Sequence, residues 1–430
     1  MAIVHGYYLG TATGSGSFTP LGIPTTISVT DQATASLTFP GNGTFTGTSG
    51  NYLSVTVTVA GLPQTEVFDT TPQQASAELN SPFTETLPSE TVDGFTVNVT
   101  VTFTVTQTQI SEAATVNITS IGSFDVNGTL SLGTPPPDVF TASGTSDVLF
   151  RDGATGDTGF YAISNGASIG WSDVGASSTA YAVVGAGDFF GTGGDDILFR
   201  NAATGDTGFY AISNGANTGW HDIGASSTAY SVVGVGDFTG SGIDDVLFRN
   251  NATGDTGFYQ IVNGANTGWR DIGASSTAYT VVGVGDFTGN GTEDVLYRNN
   301  INGDTGFYAI VNGANAGWHD IGASSTAYSV VGVGDFLGTG TDDILYRNNA
   351  TGDTGFYAIV NGANAGWHDI GASSTAYSVV GTGDYLGNGI SDVLFRNDTT
   401  GDTGFYAIVN GVNGGWHDIG ASSTAYHVQT

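Results

Sequence analysis

A chain of 430 residues has room for two or three domains. It carries 39 acidic residues against 7 basic ones, for a formal charge of −32, and contains neither lysine nor cysteine. That balance argues against nucleic acid or an anionic membrane as partner, since each phosphate would be repelled, and the lack of cysteine excludes disulfides and thiolate metal sites.

No apolar run approaches the roughly 18 residues of a membrane-spanning helix. The opening stretch "MAIVHGYYLGTATGSGSF" has no basic region and no continuous apolar segment, so it does not read as a Sec-type signal peptide. The expected location is extracellular or cell-surface, reached by a route that uses another signal. Charged residues make up only 11% of the chain, so the surface is expected to consist mainly of hydroxyls, amides and backbone.

Residues 1–132 read as strands. Phe95, Val97, Val99, Val101, Phe103 and Val105 alternate with five threonines and Asn98 in unbroken period two, the pattern of a strand with one buried face. Leu53, Val55, Val57 and Val59 repeat it, as do shorter pairs such as Ile27 and Val29 or Leu130 and Leu132. Turn clusters such as "PGNGT" separate the runs, and a β-sandwich of seven or eight strands is expected. Polar, threonine-rich edges can add to a neighbour's sheet, and "MAIVHGYYLGTA" is a candidate donated strand, although an ordinary first strand is the preferred reading. "GTPPPDVF" then predicts a stiff Pro-rich linker over 133–145.

Residues 146–430 are periodic. "GASSTAY" starts at Gly175, Gly224, Gly273, Gly322, Gly371 and Gly420, a step of 49 residues that all six tryptophans share. Within each copy, "AYSVVGVGDF", "DVLFRN", "TGFYQIVNG" and "GWRDIG" are short, β-branched and aromatic, and bounded by Gly, Asn and Asp. Four strands per unit of this length predict a β-propeller blade. The first copy lacks the "AYSVVGVGDF" strand, and the chain closes on "AYHVQT", which is the start of that strand alone. Six blades closed by the C-terminal strand are therefore expected; the rival is an open array that donates this strand to a neighbouring molecule.

"VVGVGDFTGSGIDDVLFRN" followed by "GDTGFYQIVNG" resembles the FG-GAP/VCBS repeat family of β-propellers, over roughly residues 146–430. That family includes extracellular bacterial repeat proteins, the integrin head and some fungal lectins, so the resemblance implies a fold more than a function. It also implies calcium loops with Asp at positions 1, 3, 5 and 9 and Asn tolerated at 3 or 5. Position 1 holds Asp188, Asp237, Asp286, Asp335 and Asp384, and position 9 holds Asp196, Asp245, Asp294, Asp343 and Asp392. Position 3 is Phe, Thr or Leu, and position 5 offers only Thr192, Ser241, Asn290, Thr339 and Asn388. Calcium prefers six to eight oxygens, so these loops predict weak or absent binding, with the Asn290 and Asn388 loops the best exceptions. The competing role for the position 1 Asp is to accept backbone N–H bonds and pin the turn.

Catalysis finds little support. Adjacent His–Asp pairs such as His221–Asp222 point to opposite faces of a strand, and no serine sits in a nucleophile elbow. A non-enzymatic role is expected, with no cofactor. Candidate ligand contacts are Trp171, Trp220, Trp269, Trp318, Trp367 and Trp416, one per blade beside Ser/Thr loops, since aromatic faces with hydroxyl neighbours suit sugar rings. The competing role is packing between blades. The arginines after each "DVLF" strand are expected to pair with neighbouring aspartates. The functional expectation is an adhesion or carbohydrate-binding protein with repeated sites, with glycans or other cell-surface molecules as partners; the alternative is a self-assembling subunit of an extracellular filament or surface layer built by strand donation.

Overall fold

The structure, a computed structural model, describes residues 139–429 apart from 142 and 143, together with the backbone of nine strands between Val4 and Gly133. The chain divides into two units, Met1–Gly133 and Thr134–Thr430.

The N-terminal unit runs β1 (Val4–Phe18), β2 (Thr25–Phe39), β3 (Thr44–Val59), β4 (Leu62–Glu78), β5 (Pro82–Thr86), β6 (Glu90–Val92), β7 (Phe95–Val105), β8 (Gln109–Ile118) and β9 (Gly122–Gly133). Strands pair antiparallel in the order β4-β3-β2-β1-β9-β8-β7-β5, with β6 also on β7. The period-two run from Phe95 to Val105 is β7 itself. The proposed donor strand, β1, pairs with β2 on one side and β9 on the other. The face packing that would make a sandwich of residues 1–132 lies outside the described residues.

The second unit is an all-β propeller of six four-stranded antiparallel sheets. In the third blade the strands are Ser231–Gly236, Asp245–Arg249, Asp255–Val262 and Ala265–Ala274. The third and fourth are joined by two residues, Asn263 and Gly264, with φ of 49° and 74°. Positive φ at both central positions is what a tight type I′ hairpin demands, and Asn-Gly supplies it at little strain. All six blades repeat this turn.

The hydrophobic core lies between blades. Phe238, Leu247, Phe258 and Ile272 of the third blade pack with Val295, Tyr297 and Ile310 of the fourth, all at most 5% exposed. Burying one such side chain contributes about 1.5–3 kcal/mol, so each seam stabilises both of its neighbours. At the last seam, Val148, Phe150 and Ile163 of the first blade pack with Tyr385, Leu394 and Phe405 of the sixth.

The C-terminal strand closes the ring at home. Tyr426, His427 and Val428 pair antiparallel with Asp152, Arg151 and Phe150, and the Gln429 N–H donates to the Leu149 carbonyl at 2.9 Å. The turn next to this strand comes from the segment ahead of the first repeat. Val139 and Phe140 stand where Asp237 and Phe238 stand in the third blade: the Gly215 N–H donates to the Phe140 carbonyl at 2.9 Å as that of Gly313 does to Phe238 at 2.8 Å. Val139 and Phe140 are buried, so the blade begins inside the segment expected as linker. Residues 139–141 and 144–147 thus stand in the place of a sixth turn.

Candidate binding surface

The buried arginine of each repeat helps fasten blades together. Arg249 is 1% exposed. Its Nη1 donates to the Gly254 carbonyl at 3.1 Å, Thr256 Oγ1 at 2.8 Å and Ser275 Oγ at 2.7 Å; its Nη2 donates to the carbonyls of Ser276 at 3.2 Å and Tyr279 at 3.0 Å. Ser275, Ser276 and Tyr279 belong to "GASSTAY", so this loop is an arginine cage. Gly254 is held at φ 80°, and a Cβ there would sit 1.8 Å from the Ser275 carbonyl oxygen, which is why the motif keeps glycine. The guanidinium of Arg249 stacks over Tyr297 of the next blade with Cζ 5.1 Å from the ring centroid. Six such contacts at 5.1–5.2 Å run round the ring, the last from Arg396 to Phe150.

This corrects the expectation that the arginines pair with aspartates. Their partners are carbonyls, hydroxyls and the next blade's ring; among the described residues one arginine makes an ion pair, Arg396 Nε with Asp398 at 3.2 Å. Burial lowers the pKa of Arg151, Arg200 and Arg347 from the ordinary value, though guanidinium stays charged.

The "GDFTGSGIDD" turns form a second fastening at the other ends of the strands. The position 1 carbonyl accepts the position 8 N–H of the following blade at every seam: Val139 from Asp195, Asp188 from Asp244, Asp237 from Glu293, Asp286 from Asp342, Asp335 from Ser391 and Asp384 from Ser146, at 2.8–3.2 Å. At some seams the position 8 carboxylate reciprocates, as where Asp244 Oδ2 accepts the Asp188 N–H at 2.8 Å.

The candidate metal residues sit inside these turns. Asp286 accepts the N–H groups of Gly289, Asn290 and Gly291 at 2.7, 3.1 and 2.7 Å, and the carboxylates of Asp188, Asp237, Asp335 and Asp384 are held in the same way. The position 9 carboxylates reach across to the third strand: Asp196, Asp245, Asp294, Asp343 and Asp392 each accept an isoleucine N–H at 2.8–2.9 Å. Asn290 Oδ1 accepts from Thr292 N–H at 2.8 Å, and Asn388 Oδ1 from Ile390 N–H at 3.0 Å. These accepting oxygens serve the backbone, while Oδ2 of Asp196 and of Asp245 is buried without a hydrogen-bond partner. Burial, reinforced by neighbouring carboxylates, pushes Asp244, Asp245, Asp342 and Asp343 up to about 8 and Asp196 and Asp294 to about 7. Among the described residues, no group of three or more His, Cys, Asp or Glu side chains is arranged to hold a metal ion.

The tryptophans are what the fastenings leave over. Each lies on the fourth strand and is 40–42% exposed. Trp220 packs within its own blade rather than between blades: Tyr210, Tyr181 and Phe199 surround it at centroid distances of 5.3, 5.7 and 6.2 Å. It lies across Gly208, where a Cβ would be 2.3 Å from Trp220 Cζ2, so the glycine of "DTGFY" is the seat of the indole. Two residues along the same strand, and so on the same face, is exposed Asp222. Its Oδ1 accepts the Gly224 N–H at 2.8 Å. The Tyr181 hydroxyl donates to Asp206, and the Asp206 hydrogen bond, with Asp222 nearby, pushes the tyrosine pKa upward. His221 points the other way and stacks on Phe209 at 5.2 Å, so the adjacent His and Asp are separated by the strand. An open groove of about 700 Å³ runs between the fourth strands of the first two blades, lined by Ser172, Asp173, Tyr210, Asn217 and Thr218.

Sequence reasoning found the tryptophans and missed the tyrosine–aspartate pair beside each. The constant 25-residue offset from Tyr181 to Asp206, repeated through Tyr377 and Asp402, is the signal that could have found it.

No family model matches the chain, and no curated protein is significantly similar to it. Among solved structures, the crystal structure of Citrobacter koseri AztD aligns over 96% of both chains at 7% identity and a TM-score of 0.29. The structure of apo AztD from the same organism covers 98% of this chain and 97% of its own, also at 7% identity and a TM-score of 0.29.

Proposed function

We propose that this protein is a non-enzymatic binding protein of the cell exterior, an adhesin or lectin that engages glycans through repeated sites around the propeller rim. The observation that carries this reading is the tryptophan of every blade, seated on glycine yet 40–42% exposed. An aromatic face beside carboxylate and hydroxyl groups is complementary to a sugar, whose C–H face stacks while its hydroxyls donate and accept. Six weak sites on one rigid ring gain avidity on a repetitive surface. In this reading the repeats are of FG-GAP/VCBS type, and the N-terminal unit is a sandwich. The strand-donation alternative draws less support, because both candidate donor strands pair within their own chain.

A glycan array probed with the intact protein and with a variant carrying Trp→Leu at all six rim positions tests the proposal. Binding by the wild type and its loss in a folded variant is expected. Equal binding by both would remove the tryptophans from the site, and hydrolysis with turnover would overturn the non-enzymatic reading.

A further inference from the structure

We infer that the rim sites select glycans bearing free amino groups, such as oligomers of glucosamine, over neutral or acidic glycans. The inference rests on the glycan-binding reading above and deepens it by naming the ligand class.

Charge gathers at an aromatic platform. Beside Trp220 stand exposed Asp222 and half-buried Asp206, and Asp173 lines the groove shared with the preceding blade. The same exposed Asp follows each of the other tryptophans by two residues. The cations that could neutralise these carboxylates are committed elsewhere: six arginines are buried in the cages. The seventh, Arg270, is the neighbour of Trp269 in its strand, points to the opposite face and binds Gln260 Oε1 through Nε and Nη2 at 3.0 and 2.8 Å. The platform thus presents a π face and unneutralised carboxylates within a chain of charge −32. A π face and carboxylates both attract an ammonium group, and both repel sulfate, sialate or uronate. A protonated amino sugar satisfies the two together: its C–H face covers the indole while its ammonium reaches the carboxylates. An N-acetyl group in the same place removes the charge and leaves the carboxylates to water.

The test is calorimetric titration at mildly acidic pH with fully deacetylated glucosamine oligomers and with N-acetylated oligomers of equal length, following tryptophan emission in parallel. The deacetylated series is expected to bind at least about tenfold more tightly, to perturb the emission and to weaken as pH rises and the amine loses its proton. A variant with Asp→Asn at 173, 222, 271, 320, 369 and 418 keeps the oxygen that accepts the following glycine N–H, so it is expected to fold and to lose the preference for the deacetylated series. Equal or tighter binding of the N-acetylated series overturns the inference and leaves the glycan reading standing. Binding of the deacetylated series with unchanged emission overturns the inference, since bulk charge is then the cause. Binding of neither series removes the inference, and failure on the wider array removes the glycan reading with it.

Discussion

The two ends of the propeller blades do the same work with opposite chemistry. At one end, an arginine from each blade is caged by neutral carbonyls and hydroxyls and lies over the next blade's ring, in six near-identical copies. At the other end the fastening is a backbone ring whose side chains are buried carboxylates, and there the copies differ. Position 1 is Val139 in the first blade, and position 8 is Ser146 and Ser391 in the first and sixth. An isolated cation among dipoles can be repeated freely, whereas adjacent buried carboxylates repel, and each added one raises its neighbours' pKa. The serines break the run of acids at the two seams flanking the sixth blade, one of which is where the ring closes. The arginine end is therefore expected to be insensitive to pH, and the acidic end to be set by it.

The comparison breaks most visibly if the closing strand is removed. Deleting residues 425–430 takes away the Tyr426 carbonyl that accepts from Arg396 Nη2 at 2.8 Å, and with it the partner of Phe150 and Arg151 in the sheet, while the Ser146–Asp384 link at the acidic end is untouched. Loss of a single cooperative melting transition is expected, with an altered environment for Trp171, which packs on Tyr426 at 5.6 Å. A deletion that melts like the intact protein would show that the acidic ring and the apolar seam close the propeller without this strand.

Next in size is Arg298→Met at one interior seam. The change leaves the carbonyls of Gly303, Ser325 and Tyr328 short of a donor, and a cost of about 3–5 kcal/mol in chemical denaturation is expected. Lysine at this position is expected to recover less than half of it, having no planar fork to stack on Tyr346.

Acid–base behaviour separates the two ends directly. Asp244, Asp245, Asp342 and Asp343 titrate near 8 in the folded chain, against an ordinary value of 3.8, so the folded state holds protons that the unfolded state has released. Their contribution is complete below about pH 4 and is lost as pH rises toward 8. The melting temperature is expected to be higher at pH 5 than at pH 8. Asp244→Asn, which keeps an oxygen for the Asp188 N–H, is expected to flatten that dependence and to stabilise the protein by about 1–2 kcal/mol at pH 8. A melting temperature that rises from pH 5 to pH 8 would contradict the burial of these groups. The smallest expected effect is that of calcium: with the turn carboxylates committed to backbone N–H groups, millimolar calcium is expected to shift melting little, and micromolar binding at five turns would overturn this view of them.

Much of the propeller was legible because its signals are local and repeated. The 49-residue step of the "GASSTAY" loops and tryptophans marks the blades, and "AYHVQT" marks the closing strand. The sixth turn was hidden because Val139 replaces the position 1 acid that its sisters share, and the backbone contacts of Val139, Phe140 and Ser146 with neighbouring blades reveal it. The arginines were misread for a related reason. Their acceptors lie 5 to 30 residues away and their stacking partners in another blade, and a hydroxyl-rich loop does not advertise a cation site as an aspartate does. For Trp220 the sequence pattern places the indole on a rim strand, but its seat on Gly208 follows from the register between the third and fourth strands, which a bulge between Thr207 and Gly208 shifts.

The fastenings leave one partly exposed indole per blade, and these indoles are the proposed working surface. The most direct test is the binding stoichiometry of a monovalent glycan selected from the array, measured by calorimetry on the intact chain. About six equivalent weak sites per chain, each perturbing tryptophan emission, are the predicted result. A single tight site, or saturation that leaves the emission unchanged, would contradict it.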